Sequence, residues 1–264
     1  TGGLHVTIAM DTEEEAEYHR LLLEKKLGLF LQLAEEIISL AQKFLGDISA
    51  SLKGKSPPST RSRVLLGLGL KTFRSFECLV ADARAGRAEA QHHLKSQVET
   101  FLYLLWVRED IGDTNAKLVW AKSSDERRKY FAKQAEPDSK FYSQSYGDNV
   151  QQLIKGIEQE WEAFEGKKLV KIAEEAKADA YYQRIYRLAC DPSHIADLTG
   201  YMPFLREDFS TGPIGGAYWA YLALDYGCHI MFDSLQMAAE FLGAQLTKQI
   251  EAFKAQRESI VAMK

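Results

Sequence analysis

Proline is scarce in this chain, six in 264 residues, and the eighteen glycines cluster rather than scatter. That excludes an architecture of many short strands punctuated by turns and predicts long uninterrupted helices. Cysteine is scarcer still. Cys78, Cys190 and Cys228 sit in apolar or helical segments without any paired ligand spacing, which excludes a disulfide framework and a cysteine zinc motif, and suits buried thiols in a reducing, cytoplasmic setting. Charge of one sign is also missing. Thirty-three basic against thirty-seven acidic residues leave a net charge of −4, so attraction to nucleic acid is expected only from a local basic patch. The longest apolar passage, GGAYWAYLALDYGCHIMF, is interrupted by Asp225 and His229 and followed by Asp233. It reads as a buried core helix rather than a membrane span, and no membrane association is expected. The start TGGLHVTIAM lacks the basic-then-apolar order of a signal or anchor, and residues 1–9 read as a leader remnant ahead of a natural start at Met10. No glycine-rich phosphate loop or nucleophile elbow occurs, so catalysis would have to come from helical side chains without a cofactor.

What is present is helical periodicity. From Asp11 onward, acids lead into apolar residues at Leu33, Ile37, Leu40, Phe44 and Ile48, which predicts one long helix, or two with a bend near Gly28. GKSPPST closes this N-terminal segment (residues 10–60), with Ser59 or Thr60 placed to cap the next helix. A helical core is expected over 61–202. Its second helix ends at Gly86, a left-handed cap, and a third begins at once, so the two must form an antiparallel hairpin. Further helices are expected across AKLVWAKSSDERRKYFAKQA and across NVQQLIKGIEQEWEAFEGKKLVKIAEEAK, and then across the run ending YRLAC. Residues 203–264 read as a loop followed by a C-terminal helical region from about Ala217. The fold class is all-α, a multi-helix bundle of long antiparallel helices.

Polar groups interrupt this pattern in three places. Arg74 and Glu77 are three apart on the second helix and can pair. His92, Ser96, Glu99 and Tyr103 form a stripe on the third helix, opposite its apolar positions, so the hairpin could bring two polar stripes together. The outcome is either a solvated or ion-paired face that fixes register, or a polar pocket of Arg74, Glu77 and Glu99 that binds a ligand. In YRLACDPSHIADLTGYM, Arg187 is followed after six residues by His194. An imidazole near a guanidinium is disfavoured as imidazolium, leaving a neutral base, while the arginine stabilises charge on a phosphate. Such a pair could cleave RNA through its own 2′-hydroxyl without a metal; the alternative is a histidine that caps carbonyls or bonds Asp191 or Asp197. Lastly, Asp225, His229 and Asp233 are spaced by four on one helical face, a weak candidate for metal ligation, and Glu89 with His92 supplies a di-iron spacing only once.

LKTFRSFECLVADARAGRAEAQHHLKSQVETFLYLLWV, with YYQRIYRLACDPSHIADLTGYM downstream, resembles an uncharacterised bacterial all-helical family of unknown function over about residues 61–202. Lys95, Ser96 and Glu99 fit its basic-Ser-x-x-Glu motif, and Tyr186 and His194 its Tyr-rich helix followed by histidine. That family is similar to the HEPN (higher eukaryotes and prokaryotes nucleotide-binding) superfamily, helix bundles with an arginine, four to six residues, then a histidine. The resemblance implies a metal-independent endoribonuclease effector of phage defence or toxin-antitoxin systems, working as a homodimer on RNA beside a protein partner or antitoxin. It implies Arg187 and His194 as catalytic residues, supported by Arg74, Glu77, Lys95, Glu99 and Tyr186. A non-catalytic helical module binding a ligand or protein is the alternative, and a metal-binding bundle the second alternative.

Overall fold

Phe30, Leu33, Ile37, Ala41, Phe44 and Ile48 of the first segment are buried at spacings of three and four, as a single stripe requires, while Leu40, expected in that stripe, is half-buried. They belong to one helix, α1, Glu13–Leu52, which passes through Gly28 without a break. Each of the larger of these side chains, taken out of water, contributes about 1.5–3 kcal/mol. The computed structural model describes residues 13–52, 59–87, 89–123, 167–190, 213–242 and 245–264, and these are all-α, with no strand among them.

Helix α2 spans Thr60–Arg84 and α3 Ala90–Glu109. Ser59 caps α2, its hydroxyl accepting the Ser62 N–H at 3.2 Å. Gly86, at φ +66, ends α2 as expected. The Gly86 N–H reaches the Ala83 carbonyl and the Arg87 N–H the Asp82 carbonyl, both at 3.0 Å, the paired bonds of a glycine-terminated helix. A helix over residues 114–123, α4, follows a tight turn in which Asp110 accepts the Gly112 and Asn115 N–H groups at 3.0 and 2.8 Å.

Most of the helix expected over 149–177 lies outside the described residues, but its end is not continuous. Lys168 is extended (ψ 142°) and precedes a short helix, α5, Leu169–Glu175. Lys167 pairs with Glu175 at 2.6 Å. Lys177 ends α5 in the left-handed region, at φ +53. The next helical run contains a π-helical turn, Tyr181–Tyr186, and closes with α6, Arg187–Cys190. Two helices complete the chain: α7, Pro213–Leu242, and α8, Thr247–Val261. Helix α7 begins four residues before the expected Ala217, at a proline whose missing N–H is harmless in a first turn.

The chain divides into two compact units, and the division falls within α2, within α3 and between Tyr182 and Gln183. One unit comprises Thr1–Gly54, Lys71–Glu99 and Gln183–Lys264. In it Glu35 and Gln42 of α1 bond Arg84 and Glu77 of α2, an antiparallel pairing, and Ser75 bonds Ser96 across the α2–α3 hairpin. Gln91 and Gln97 of α3 donate to the Trp219 and Gly227 carbonyls of α7 at 2.8 and 3.1 Å, so α3 and α7 run parallel. Helix α8 returns antiparallel along α7, where Phe232 stacks on Phe253 and Arg257 meets Asp225. Helices α1, α3 and α7 therefore point one way, α2 and α8 the other. At Gly227 the helices approach so closely that a Cβ would meet Leu79 at 3.0 Å and Gln97 at 3.2 Å, which explains glycine in the middle of a core helix.

The other unit comprises Lys55–Leu70 and Thr100–Tyr182. Val64 of α2, Val107 of α3 and Ala116 of α4 form its described apolar cluster, joined by Leu65, Leu68 and Val119. Among the described residues no helix is long and apolar enough to cross a membrane. Of the three thiols expected to be buried only Cys228 is, on the core face of α7; Cys78 is exposed and Cys190 half-buried.

Candidate functional site

The sequence YYQRIYRLAC owes its local geometry to two inward positions. Ile185 and Ala189 are buried, while Gln183, Arg184 and Arg187 are exposed on the other side of the same run. The chain passes from the π-helical turn into α6 at Arg187, and π turns recur at functional sites because they displace side chains from the ordinary helical register. Tyr181 packs edge-on against Phe101, with ring centroids 5.0 Å apart, and Tyr186 is half-buried.

Arg187 donates from Nη1 to the Gln183 amide oxygen at 3.2 Å. Among the described residues Arg61 also has a neutral partner, the Arg108 carbonyl at 2.9 Å, whereas most other arginines differ. Arg20, Arg74, Arg84, Arg87, Arg108 and Arg257 each lie against a carboxylate. A carboxylate cancels the guanidinium charge, whereas an amide oxygen orients it and leaves the charge intact. His194 and Pro192 lie outside the described residues, so of the Arg187–His194 pair only the arginine is placed.

The supporting residues fall on the α2–α3 hairpin. Arg74 and Glu77 pair at 2.5 Å, and Glu77 also accepts the Gln42 amide at 3.1 Å. Arg74 is largely exposed and Glu77 only 21% so, which makes this a pair at the edge of the core. Lys95 and Glu99 are half-buried, and Glu99 takes no part in the Arg74–Glu77 bond. Across the hairpin Ser96 meets Ser75, a residue of neither expected stripe, their hydroxyls 3.2 Å apart. The expected stripe of His92, Ser96, Glu99 and Tyr103 is not uniform, however. Tyr103 is buried, and Lys122 donates to its hydroxyl at 2.5 Å. Among the described residues no hydrogen bond or ion pair joins Arg187 to Arg74, Glu77, Lys95 or Glu99.

Asp225, His229 and Asp233 share a face of α7 but do not close around a point. No group of three or more His, Cys, Asp or Glu side chains among the described residues is placed to hold a metal. Asp225 turns instead to Arg257, its Oδ1 2.7 Å from Nε, while His229 Nε2 lies 4.0 Å from Asp233. The Asp225–Arg257 atoms are close but poorly aligned for a hydrogen bond, so charge more than a directed bond ties them. Burial raises the Asp225 carboxyl above its ordinary range, against the opposing pull of Arg257. Burial likewise lowers the His229 imidazole, with Asp233 opposing, and raises the Tyr221 hydroxyl, with Asp225 adding to the shift.

Gln183, Arg184 and Arg257 are not among the residues expected from the sequence. Gln183 had a legible signal, its i, i+4 spacing to Arg187; Arg257 had none, because its partner lies on another helix. Gln91 and Gln97, both fully buried, were also missed, since an isolated glutamine carries no pattern.

No curated protein and no solved structure matches the chain. A family profile does match, over residues 62–210, a span that takes in the α2–α3 hairpin, the π-helical turn and both Arg187 and His194. That match covers more than half of the sequence, and the chain belongs to the family of unknown function DUF5677.

Proposed function

We propose that the chain is a HEPN-like effector that cleaves RNA without a metal, using His194 and Arg187. In this reaction a neutral His194 takes the proton of a ribose 2′-hydroxyl, and the freed oxygen attacks the adjacent phosphorus. The bond to the 5′-oxygen breaks, leaving a 2′,3′-cyclic phosphate and a 5′-hydroxyl that receives the proton. Arg187 bonds the non-bridging oxygens as negative charge accumulates. The observation that carries the reading is the state of Arg187: exposed, directed by a neutral amide, and retaining its charge for an anion. The reading includes a homodimer, in a defence or toxin-antitoxin setting with a protein partner.

Incubating the purified protein with cellular RNA in chelator tests it. Cleavage is expected from the parent, and a loss of about 10²-fold or more from His194→Ala and from Arg187→Ala. Equal cleavage by all three proteins, or none by any, overturns the proposal. A second reading, a module that binds a ligand or protein without catalysis, is favoured by Pro192 inside the Arg187–His194 interval. Intact RNA with a retained partner would support it.

A further inference from the structure

We infer that Gln183 is a positioning residue for Arg187 and that Arg184 is a second anion-binding cation beside it, the two arginines engaging successive phosphates of one RNA strand. The inference rests on the proposed ribonuclease reading for the identity of the anion. It rests on the structure for the arrangement. Gln183, Arg184 and Arg187 are all exposed, and Arg184 makes no hydrogen bond or ion pair among the described residues. Arg184 and Arg187 are three apart in sequence and both exposed, Arg184 within the π-helical turn and Arg187 at the start of α6, so two like charges stand near one another along the run. At Arg20, by contrast, the nearby carboxylates of Glu17 and Glu24 relieve such charge. Among the described residues no carboxylate is bonded to either arginine, and the only bonded partner is the Gln183 amide. Buried Ile185 and Ala189 hold the opposite face of the run inward, so both guanidinium groups project from a fixed base. Two adjacent uncompensated cations, one of them steered by an amide, are chemically suited to a ligand that supplies two anionic groups in series. The nucleic-acid backbone is such a ligand.

The test uses the full chain carrying His194→Ala, so that the strand survives, and a short labelled single-stranded oligouridylate in chelator, read by fluorescence anisotropy across a salt series. Arg184→Ala should weaken binding roughly fivefold and lower the salt slope by about 0.7, the value of one lost phosphate contact on a single strand. Arg184→Lys should restore most of both. Gln183→Glu should weaken binding as much as Arg187→Ala, because a carboxylate four residues away captures the guanidinium, whereas Gln183→Ala should cost only about twofold. A merely structural glutamine would not distinguish these two substitutions. Lys248→Ala, on α8, should leave binding unchanged. The inference is overturned if the parent does not bind, if Arg184→Ala or Gln183→Glu binds like the parent, or if Lys248→Ala weakens binding equally. Binding with this pattern but no cleavage by the His194 protein sinks the ribonuclease reading and leaves the inference standing. Cleavage that needs His194 but ignores Arg184 and Gln183 does the reverse.

Discussion

Arg187 and Arg257 both sit on terminal parts of helices, yet their surroundings are opposite. Arg257 is only 23% exposed and faces Asp225, itself 12% exposed, across the α7–α8 contact. Arg187 is exposed and faces an amide. A buried guanidinium needs a counter-charge, because desolvating it alone costs several kcal/mol; an exposed one does not, so its partner is free to serve another purpose. The contrast separates an arginine that maintains packing from one that keeps its charge available. It also separates two of the places where the sequence suggested chemistry. The Asp225–His229–Asp233 face is drawn into a contact between helices, while Arg187 remains open to solvent.

Replacing each arginine by alanine is the most direct way to break the comparison. Arg257→Ala leaves Asp225 buried without its cation and should cost about 2–3 kcal/mol in denaturant unfolding, less than a fully enclosed pair because both groups retain some water. Arg187→Ala should stay within about 0.5 kcal/mol. Equal losses would mean that Arg187 is structural after all. A smaller effect is expected from pH. His229 is held below its ordinary 6.5 in the fold, so the unfolded chain takes up its proton first and stability should fall as pH drops below about 6.5, levelling off once the folded imidazole is also charged. Asp225 is held above its ordinary 3.8 and acts with the opposite sign: its contribution to stability declines as pH rises from there through the raised value. Unfolding curves of His229→Gln should lose the decline below 6.5, and those of Asp225→Asn should lose the decline above 3.8. If neither substitution alters the pH profile, the electrostatic account of the α7–α8 contact is wrong.

The parts of the molecule legible in the sequence were those that depend on local order. The long α1, the Ser59 cap and the left-handed Gly86 follow from periodicity and from residue types with few alternatives. The Arg74–Glu77 pair was legible for the same reason, being three residues apart. What could not be read arises between distant segments or from a departure in helical pitch. Arg257 belongs to Asp225 only because α8 folds back along α7, and the tyrosine hydroxyl of the expected polar stripe is buried because Lys122 of α4 reaches it. The π-helical turn ahead of Arg187 has no sequence signature, since Tyr182, Ile185 and Ala189 fit an ordinary helical spacing as well. The left-handed Lys177 defies the expectation of glycine at a helix end, although its neighbours make the same paired bonds as Gly86.

The smallest expected effect is also the sharpest, because it converts one arginine's situation into the other's. Gln183→Glu gives Arg187 a carboxylate at the same i, i+4 distance now spanned by the amide. Stability should rise by about 0.3–0.5 kcal/mol, the usual worth of an exposed helical ion pair, and the gain should shrink with added salt. The same substitution should weaken RNA binding as described above. If Arg187 were simply one more surface arginine, a better local partner would bring stability at no functional loss. If its charge is kept free for an anion, the two quantities must move in opposite directions. A protein that is both more stable and an undiminished binder would erase the distinction between Arg187 and Arg257.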